Sequence, residues 1–384
     1  MKFIKLLICV ILCLCLSFTT LCGCFDGENP LKLVRPEEKS EEAKEYETLE
    51  QDEKVEFLIT EMKKAFSKGE KTVDFNFDCS KQLFDAFRIV SSENPQFFWL
   101  TKSSSYEITT RGEVSTIVFK PKILLKDKEI ASMQKEIDAE AQKVLAGIDA
   151  NATDYEKVLY IHDYIVDNTV YDSDGADFVT ENPEADLPQD VHNSTSIYGC
   201  LVKRRAICSG YAATFKYFAD KLGLECMRVS GTSKETGESH QWNCVKVDGE
   251  YYYIDTTWDD KVAKDPNRHI KDYDYFLITE EDLLITHTIK EDQVVPQCVS
   301  DRYNYFVYNG LYLKEYTFSA FSQIIRPRLS TKKISIKFAS ADECQKAYND
   351  LFKGDKRFWN ISGVNAKTVR TSVSDSGKIL NIQW

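Results

Sequence analysis

Residues 240–258 read HQWNCVKVDGEYYYIDTTW, and the Asp248-Gly249 pair inside them decides how the region folds. Asp-Gly between alternating apolar residues is the strongest short hairpin signal, because both central positions of a tight type I′ turn need positive φ. If these two residues make the turn, Val247 faces Glu250 and the numbers of facing residues add to 497. Trp242 then faces Asp255, while His240 faces Thr257. Side chains alternate with period two, so His240 and Trp242 share a face. That makes His240 and Asp255 diagonal neighbours, roughly 7–8 Å apart and within side-chain reach. A carboxylate holding one ring nitrogen fixes the tautomer and leaves the other nitrogen free to take a proton.

Upstream, Cys208-Ser209-Gly210-Tyr211 opens a run in which Phe215, Phe218, Ala219 and Leu222 share one helical face. Gly223 is placed to end it. Cysteine nucleophiles act as thiolates, and a helix N-terminus or a neighbouring imidazolium favours that form. Cys208 stands where the first is expected, after the basic run Lys203-Arg204-Arg205. Gly210 lets neighbouring backbone come close to the turn. Leu224–Val229 reads as a further strand. Spacing alone leaves blander readings open: Cys208 as a small core residue, His240 as a packed or surface residue, and Asp255-Thr256-Thr257 as a plain turn. The hairpin by itself does not bring Cys208 to His240.

Before this region, Thr153-Asp154-Tyr155-Glu156 is a capping box, and Val158, Ile161, Ile165 and Val166 make one stripe of a helix ending near Asn168. Residues 172–196 read as a long polar connection. The organisation expected is a 149–290 core, preceded by an α+β module over 51–148 and followed by a small module over 298–384. The first module holds helices near 52–67 and 127–147, a helix around Leu83 to Val90, and short strands between 97 and 120; it has no histidine. The last holds strand-like pieces, YFVYNGLYL and KKISIKF, and a helix around 341–352.

The chain opens with Lys2 and Lys5 and an apolar run from Leu6 to Phe18, a secretory signal over residues 1–23 rather than a membrane span. Leu21-Cys22-Gly23-Cys24 resembles the bacterial lipobox, which implies acylation of Cys24 and a protein held at the outer face of a bacterial membrane; the rival is an ordinary cleaved signal and a free secreted protein. Residues 24–50 read as a charged tether.

The 384 residues carry 49 Lys plus Arg against 61 Asp plus Glu, a net charge of −12, which disfavours nucleic acid as a partner. A hydrophobic fraction of 43 % excludes a wholly disordered chain. Neither a phosphate-binding glycine loop nor a dinucleotide fingerprint is present, so no nucleotide is expected. Past residue 24, Cys79, Cys200, Cys208, Cys226, Cys244, Cys298 and Cys344 remain, with no C-x-x-C pair to signal zinc. Export permits disulfides, and the sequence assigns no pairing.

Gly199-Cys200-Leu201, Ala206-Ile207-Cys208-Ser209-Gly210-Tyr211-Ala212, Gly231, His240-Gln241-Trp242-Asn243 and Tyr252-Tyr253-Ile254-Asp255-Thr256-Thr257-Trp258 together resemble the transglutaminase-like superfamily, and more closely its exported bacterial, cysteine protease-like members. His162-Asp163-Tyr164-Ile165-Val166, and the stretch from Tyr275-Phe276-Leu277 through Asp282-Leu283-Leu284 to His287, fit the family's flanks. The resemblance covers about 150–290. It implies a papain-like α+β core with Cys208 as nucleophile, His240 as general base and acid, and Asp255 as orienting carboxylate. It also implies a thioester formed at a peptide, isopeptide or glutamine amide bond, with hydrolysis favoured over cross-linking. The substrate is then a protein, a peptide or a cell-wall peptide.

An oxyanion donor upstream of the nucleophile is expected in the family; Tyr198 is the candidate beside the Cys208 amide. Trp242 and Trp258 are candidate cleft walls or core aromatics. His162 reads as a core hydrogen-bonding residue or a substrate-side one, and His192, His269 and His287 receive no role. No cofactor is expected. Asp259, Asp260, Asp265 and Asp272 raise calcium, as in some family members, but match no regular Ca²⁺ loop. The competing function is a non-catalytic surface binding or structural module that keeps the fold.

Overall fold

The computed structural model describes residues 39–183, 185–261 and 271–384. The signal segment, Cys24, most of the tether, Asp265 and His269 lie outside the described residues.

The N-terminal elements are α1 (Glu41–Thr48), α2 (Gln51–Ser67), β1 (Val73–Phe75), α3 (Leu83–Glu93), β2 (Leu100–Arg111), β3 (Val114–Ile123) and α4 (Asp127–Ala146). The strands form an antiparallel sheet in the order β1-β3-β2. Helix α1 occupies part of the stretch expected as tether. Ser40 caps it, accepting from the Ala43 amide at 3.1 Å. Ala43 and Tyr46 bury themselves at spacing i, i+3, and Tyr46 stacks on Phe77 with centroids 4.3 Å apart. Two apolar residues on one face dock a helix whose other positions are mostly charged, which overall composition hides.

Next come α5 (Asp154–Asn168), β4 (Val170–Tyr171), α6 (Ser173–Glu181), α7 (Gln189–Ser194), β5 (Arg205–Ala206), α8 (Cys208–Lys221), β6 (Cys226–Ser233), β7 (Ser239–Val247), β8 (Glu250–Ile254), α9 (Thr256–Asp259), α10 (Glu280–Leu283) and β9 (His287–Ile289). The capping box forms: Glu156 N donates to Thr153 Oγ1 at 3.3 Å, and Thr153 N to Glu156 Oε2 at 2.8 Å. The 172–196 stretch, expected as a connection, holds helices α6 and α7. Asp172 is the reason. Its carboxylate accepts from Gly175 N at 3.1 Å and from the Ser194 hydroxyl, and it pairs with Arg205, pinning both helices to β5.

The central sheet runs β8-β7-β6-β9, antiparallel throughout. Val247 pairs with Glu250 and Asn243 with Ile254, the register the turn predicts. Asp248 and Gly249 take φ of 47° and 89°, both positive as a type I′ turn requires. Helix α8 lies on one face of this sheet, where Asn243 Nδ2 donates to the Ala212 carbonyl at 3.0 Å. Val229, Trp242, Cys244 and Tyr253 form a separate small core with Tyr275, Leu283 and Cys298. Helix α8 starts where backbone comes very close: a Cβ on Gly210 would stand 2.4 Å from the Ser194 carbonyl oxygen and 2.9 Å from Ala206 Cβ. One continuous apolar core runs from Ala43 through α2–α5 and α8 to Tyr303, so the N-terminal elements and the central sheet pack as one body.

The C-terminal elements have their own core: α11 (Tyr305–Tyr308), β10 (Tyr312–Leu313), α12 (Phe318–Ile325), β11 (Lys333–Phe338), α13 (Ala341–Tyr348), β12 (Arg370–Val373) and β13 (Ile379–Gln383). Their sheet order is β10-β11-β13-β12, with only the β10–β11 pair parallel. Residues 305–313, read as strand-like, instead make a helical turn and a two-residue strand, because Asn304 caps Phe306 N at 3.3 Å and Gly310 turns the chain at φ 64°. Lys337 and Lys378 both donate to Asp282 of α10, at 2.5 and 2.7 Å, and fasten this module to the central one. The architecture is α+β.

Candidate active site

Cys208 is the first residue of α8 and half-buried, with Ile207 before it extended and donating its amide to the Ser194 carbonyl at 3.0 Å. The first amides of a helix lack the usual intrahelical partner; here Gly210 N turns back to the Ile207 carbonyl at 2.9 Å. His240, near the start of β7, places Nε2 2.6 Å from Asp255 Oδ2. The Cys208 thiol lies near enough to the same ring to help raise its pKa. With Nε2 committed to Asp255, Nδ1 is the nitrogen left for sulfur.

Asp255 follows β8 and caps α9, accepting from Thr257 N at 2.9 Å and Trp258 N at 3.2 Å on Oδ1. The turn at 255–257 therefore forms and also aims the second oxygen at His240. Burial opposes a charge on His240, but Asp255 and then Cys208 outweigh it and raise the imidazole to about 10. Burial alone would raise Asp255; His240 and His287 instead hold it well below the usual carboxylate range.

His287, given no role in the sequence, sits at the centre of this group. Its Nε2 lies 3.3 Å from Asp255 Oδ2 and its Nδ1 2.8 Å from Thr286 Oγ1. Burial pushes its imidazole down against the pull of Asp255. With Asp255 ionised and His287 neutral, Nε2–H donates to the carboxylate and Nδ1 accepts from the Thr286 hydroxyl. The register of β9 on β6, Ser233 opposite His287, brings it here. No local turn sets that register, and the one signal was the fit of His287 to the family's tail.

Arg228 on β6 is a second residue the sequence did not single out. Its guanidinium donates to the Gln241 side chain at 2.6 Å, the Ser209 carbonyl at 3.5 Å and the Ser92 carbonyl at 2.9 Å. It thus clamps the neighbours of both Cys208 and His240 to the end of α3. Tyr171 is a third. After burial, the charge of Cys208 contributes most to raising its phenol.

Tyr198 does not stand at Cys208 as an oxyanion donor would. Its ring stacks on Phe98 and its hydroxyl donates to Glu136 of α4 at 3.3 Å. Trp242 is buried, its ring 5.8 Å from that of His240, and belongs to the small core rather than to a cleft wall. Trp258 is partly exposed, 5.4 Å from the His240 ring and 4.2 Å from that of His287, and can wall the approach to the thiol.

His162 is fully buried between Asp163 and Asp259, at 3.0 and 3.1 Å, which fits its core reading. Asp260 accepts from the Tyr211 hydroxyl at 2.6 Å, and Lys261 pairs with Asp272 and Asp274. Calcium takes six to eight oxygens in one shell, whereas these described carboxylates are matched to His162, Tyr211 and Lys261. The residues do not fit that ion. Among the described residues, the ligand atoms of His240, Asp255 and His287 do lie within 4.8 Å of one another.

The sequence pattern of the transglutaminase-like superfamily core matches residues 141–256, and the chain carries a transglutaminase-like core domain. Over 116 residues it is 31 % identical to the kyphoscoliosis peptidase of Homo sapiens, a match covering 28 % of this chain and 16 % of that protein. Similar solved structures include a TGase, at 16 % identity and TM-score 0.29, covering 48 % of this chain and 50 % of that one. Another is a candidate cysteine protease from Cytophaga hutchinsonii, at 14 % identity and TM-score 0.25, covering 41 % and 63 %.

The electrostatics of the His240–Asp255 pair fix a pH window. A histidine with a raised folded pKa contributes stability fully below its unfolded value, about 6.5, and loses it as pH climbs through about 10. An aspartate with a depressed folded pKa contributes above its unfolded value, about 3.9, and loses that contribution as pH falls through the folded one. Asp255→Asn is expected to cost roughly 3–5 kcal/mol between those limits, and less outside them. Proton NMR of His240 checks the pair: imidazolium through neutral pH in the wild type, neutral imidazole in the variant. A His240 that titrates identically in both would contradict it.

Proposed function

We propose that the protein is a cysteine acyltransferase that opens peptide, isopeptide or glutamine amide bonds through a thioester, with water as the usual acceptor. The observation that carries this reading is the buried Asp255–His240 pair facing a thiol at the start of a helix.

In the resting site the Cys208 proton already sits on His240 Nδ1, and Asp255 on Nε2 balances the imidazolium. The thiolate attacks the substrate carbonyl, forming a C–S bond and an oxyanion. In this reading the Cys208 backbone amide donates to that oxyanion. As the intermediate collapses, the C–N bond breaks and His240 gives its proton to the leaving amine. Water then attacks the thioester, His240 accepts its proton, and release of the acid leaves the Cys208 thiolate beside the His240 imidazolium again.

Hydrolysis is favoured because water is always present, while a second amine must be bound and aimed. The 116-residue similarity to a protein named a peptidase supports the same preference. The chain matches only 16 % of that protein's length, so its substrates are not carried over. The proposed substrate is a protein, a peptide or a cell-wall peptide.

Incubating the protein with glutamine-containing peptides and quenching in acid tests the chemistry. Peptide mass spectrometry is expected to find an acyl group on Cys208, lost on hydroxylamine treatment and missing in Cys208→Ala. Turnover is expected to fall at least about a thousandfold in Cys208→Ala. Full activity in Cys208→Ala, or an acyl group on another cysteine, would overturn the assignment. Product analysis with an added primary amine separates hydrolysis from transfer.

We also propose export and acylation of Cys24, on the strength of the apolar run and Leu21-Cys22-Gly23-Cys24. Among the described residues no helix is long and apolar enough to cross a membrane. In a bacterial host, Cys24→Ala is expected to move the protein from the membrane fraction to the soluble one. Unchanged membrane association would contradict the anchor.

A further inference from the structure

Apart from the catalytic reading, we propose that Cys244 and Cys298 are a disulfide pair, closed when the chain folds in an oxidising compartment, which staples the segment after the central sheet onto the middle of that sheet. The two sulfurs are 3.6 Å apart, and each residue is about 1 % exposed. Both belong to the small core on the Trp242 side of the sheet, with Tyr253 and Tyr275. The other described cysteines are arranged differently. Cys200 hydrogen-bonds Thr169 at 3.2 Å, Cys226 points at the Met227 carbonyl, and Cys208 faces His240.

A disulfide needs sulfurs about 2.05 Å apart, so one must approach by about 1.5 Å. Cys298 has its carbonyl tied to Glu280 N at 2.8 Å and its thiol directed at the Pro296 carbonyl at 3.6 Å. The approach is therefore a turn of its side chain away from Pro296 with a small shift of a segment that no ladder holds. Residues 293–300 form neither helix nor strand, whereas Cys244 is fixed in β7 between two hydrogen-bonded neighbours. The bond would close a loop that contains Asp255 and His287. It would therefore restrict the separation of the very residues that meet at the site when the chain is unfolded. It would also leave Cys208 without a partner.

The chemistry is thiol–disulfide exchange with a small disulfide such as oxidised glutathione, or with a dithiol oxidase. One cysteine thiolate attacks the donor and releases one donor thiol. The second then attacks the mixed disulfide and releases the other, so two protein thiols become one S–S bond and the donor carries away both electrons and both protons. In the folded reduced protein the hydrogen bond from Cys298 and burial hold the Cys244 thiol well above its ordinary range. Exchange then belongs to folding rather than to the finished structure.

Two samples of the protein are refolded from denaturant, one with mixed oxidised and reduced glutathione and one with dithiothreitol. Free thiols are blocked, and peptides are mapped without reduction. The oxidised sample is expected to give a linked Cys244–Cys298 peptide, with Cys208 and Cys226 alkylated. Its melting temperature should exceed that of the reduced sample by on the order of 10 °C. Cys298→Ser should abolish that difference, while Cys226→Ser should keep it. Alkylated Cys244 and Cys298 in oxidised protein with native circular dichroism would overturn the pairing. So would a Cys244–Cys226 link, or a redox difference that survives in Cys298→Ser.

Discussion

One buried carboxylate organises this site. Asp255 spends Oδ1 on the two backbone amides of the helix it caps and Oδ2 on two imidazoles, His240 at 2.6 Å and His287 at 3.3 Å. An ionised carboxylate without partners in an apolar interior would cost several kcal/mol, and here every approach to it is occupied by a donor. Because the cap fixes Oδ1, the direction of Oδ2 is fixed, and with it the plane of His240 and the nitrogen offered to Cys208. Trp242 and Trp258, with rings 5.8 and 5.4 Å from that of His240, pack beside it. The site is thus set by backbone geometry at the end of one strand, rather than by a mobile loop.

The rest of the fold keeps three separate pieces of chain pointed at that carboxylate. Helix α8 brings the thiol, seated against the Ser194 carbonyl by the missing side chain at Gly210. Strand β9 brings His287. Arg228 holds Ser209, Gln241 and the end of α3 in one cluster, so the N-terminal elements reach the residues next to both Cys208 and His240. That wiring agrees with a core that continues without a break from Ala43 to Tyr303. The C-terminal module is attached differently, through Asp282 and two lysines, and carries its own apolar centre.

What could be read from sequence was whatever local chemistry determines. The Asp248-Gly249 turn dictated a register, and a register dictates which side chains meet, so the approach of His240 to Asp255 followed from counting. The capping box at Thr153 and the start of α8 were legible for the same reason. His287 was not, because β9 is three residues long and pairs with a strand more than fifty positions away with no turn to align it. Arg228 was hidden because its acceptors are two carbonyls and an amide on three elements. Helices α6 and α7 were missed because one carboxylate, Asp172, converts a polar stretch into capped structure. Tyr198 shows the opposite error: proximity in sequence suggested a donor at the thiol, but its hydroxyl is held by Glu136.

The central claim is that His240 activates Cys208, and competitive alkylation tests it most directly. The native protein and His240→Ala are exposed to iodoacetamide at pH 6, and the modified fraction of each cysteine is followed over time by peptide mass spectrometry. The account predicts that Cys208 in the native protein reacts faster than any other described cysteine, and on the order of tenfold or more faster than Cys208 in His240→Ala. Equal rates for Cys208 in the two proteins, both folded by circular dichroism, would contradict it.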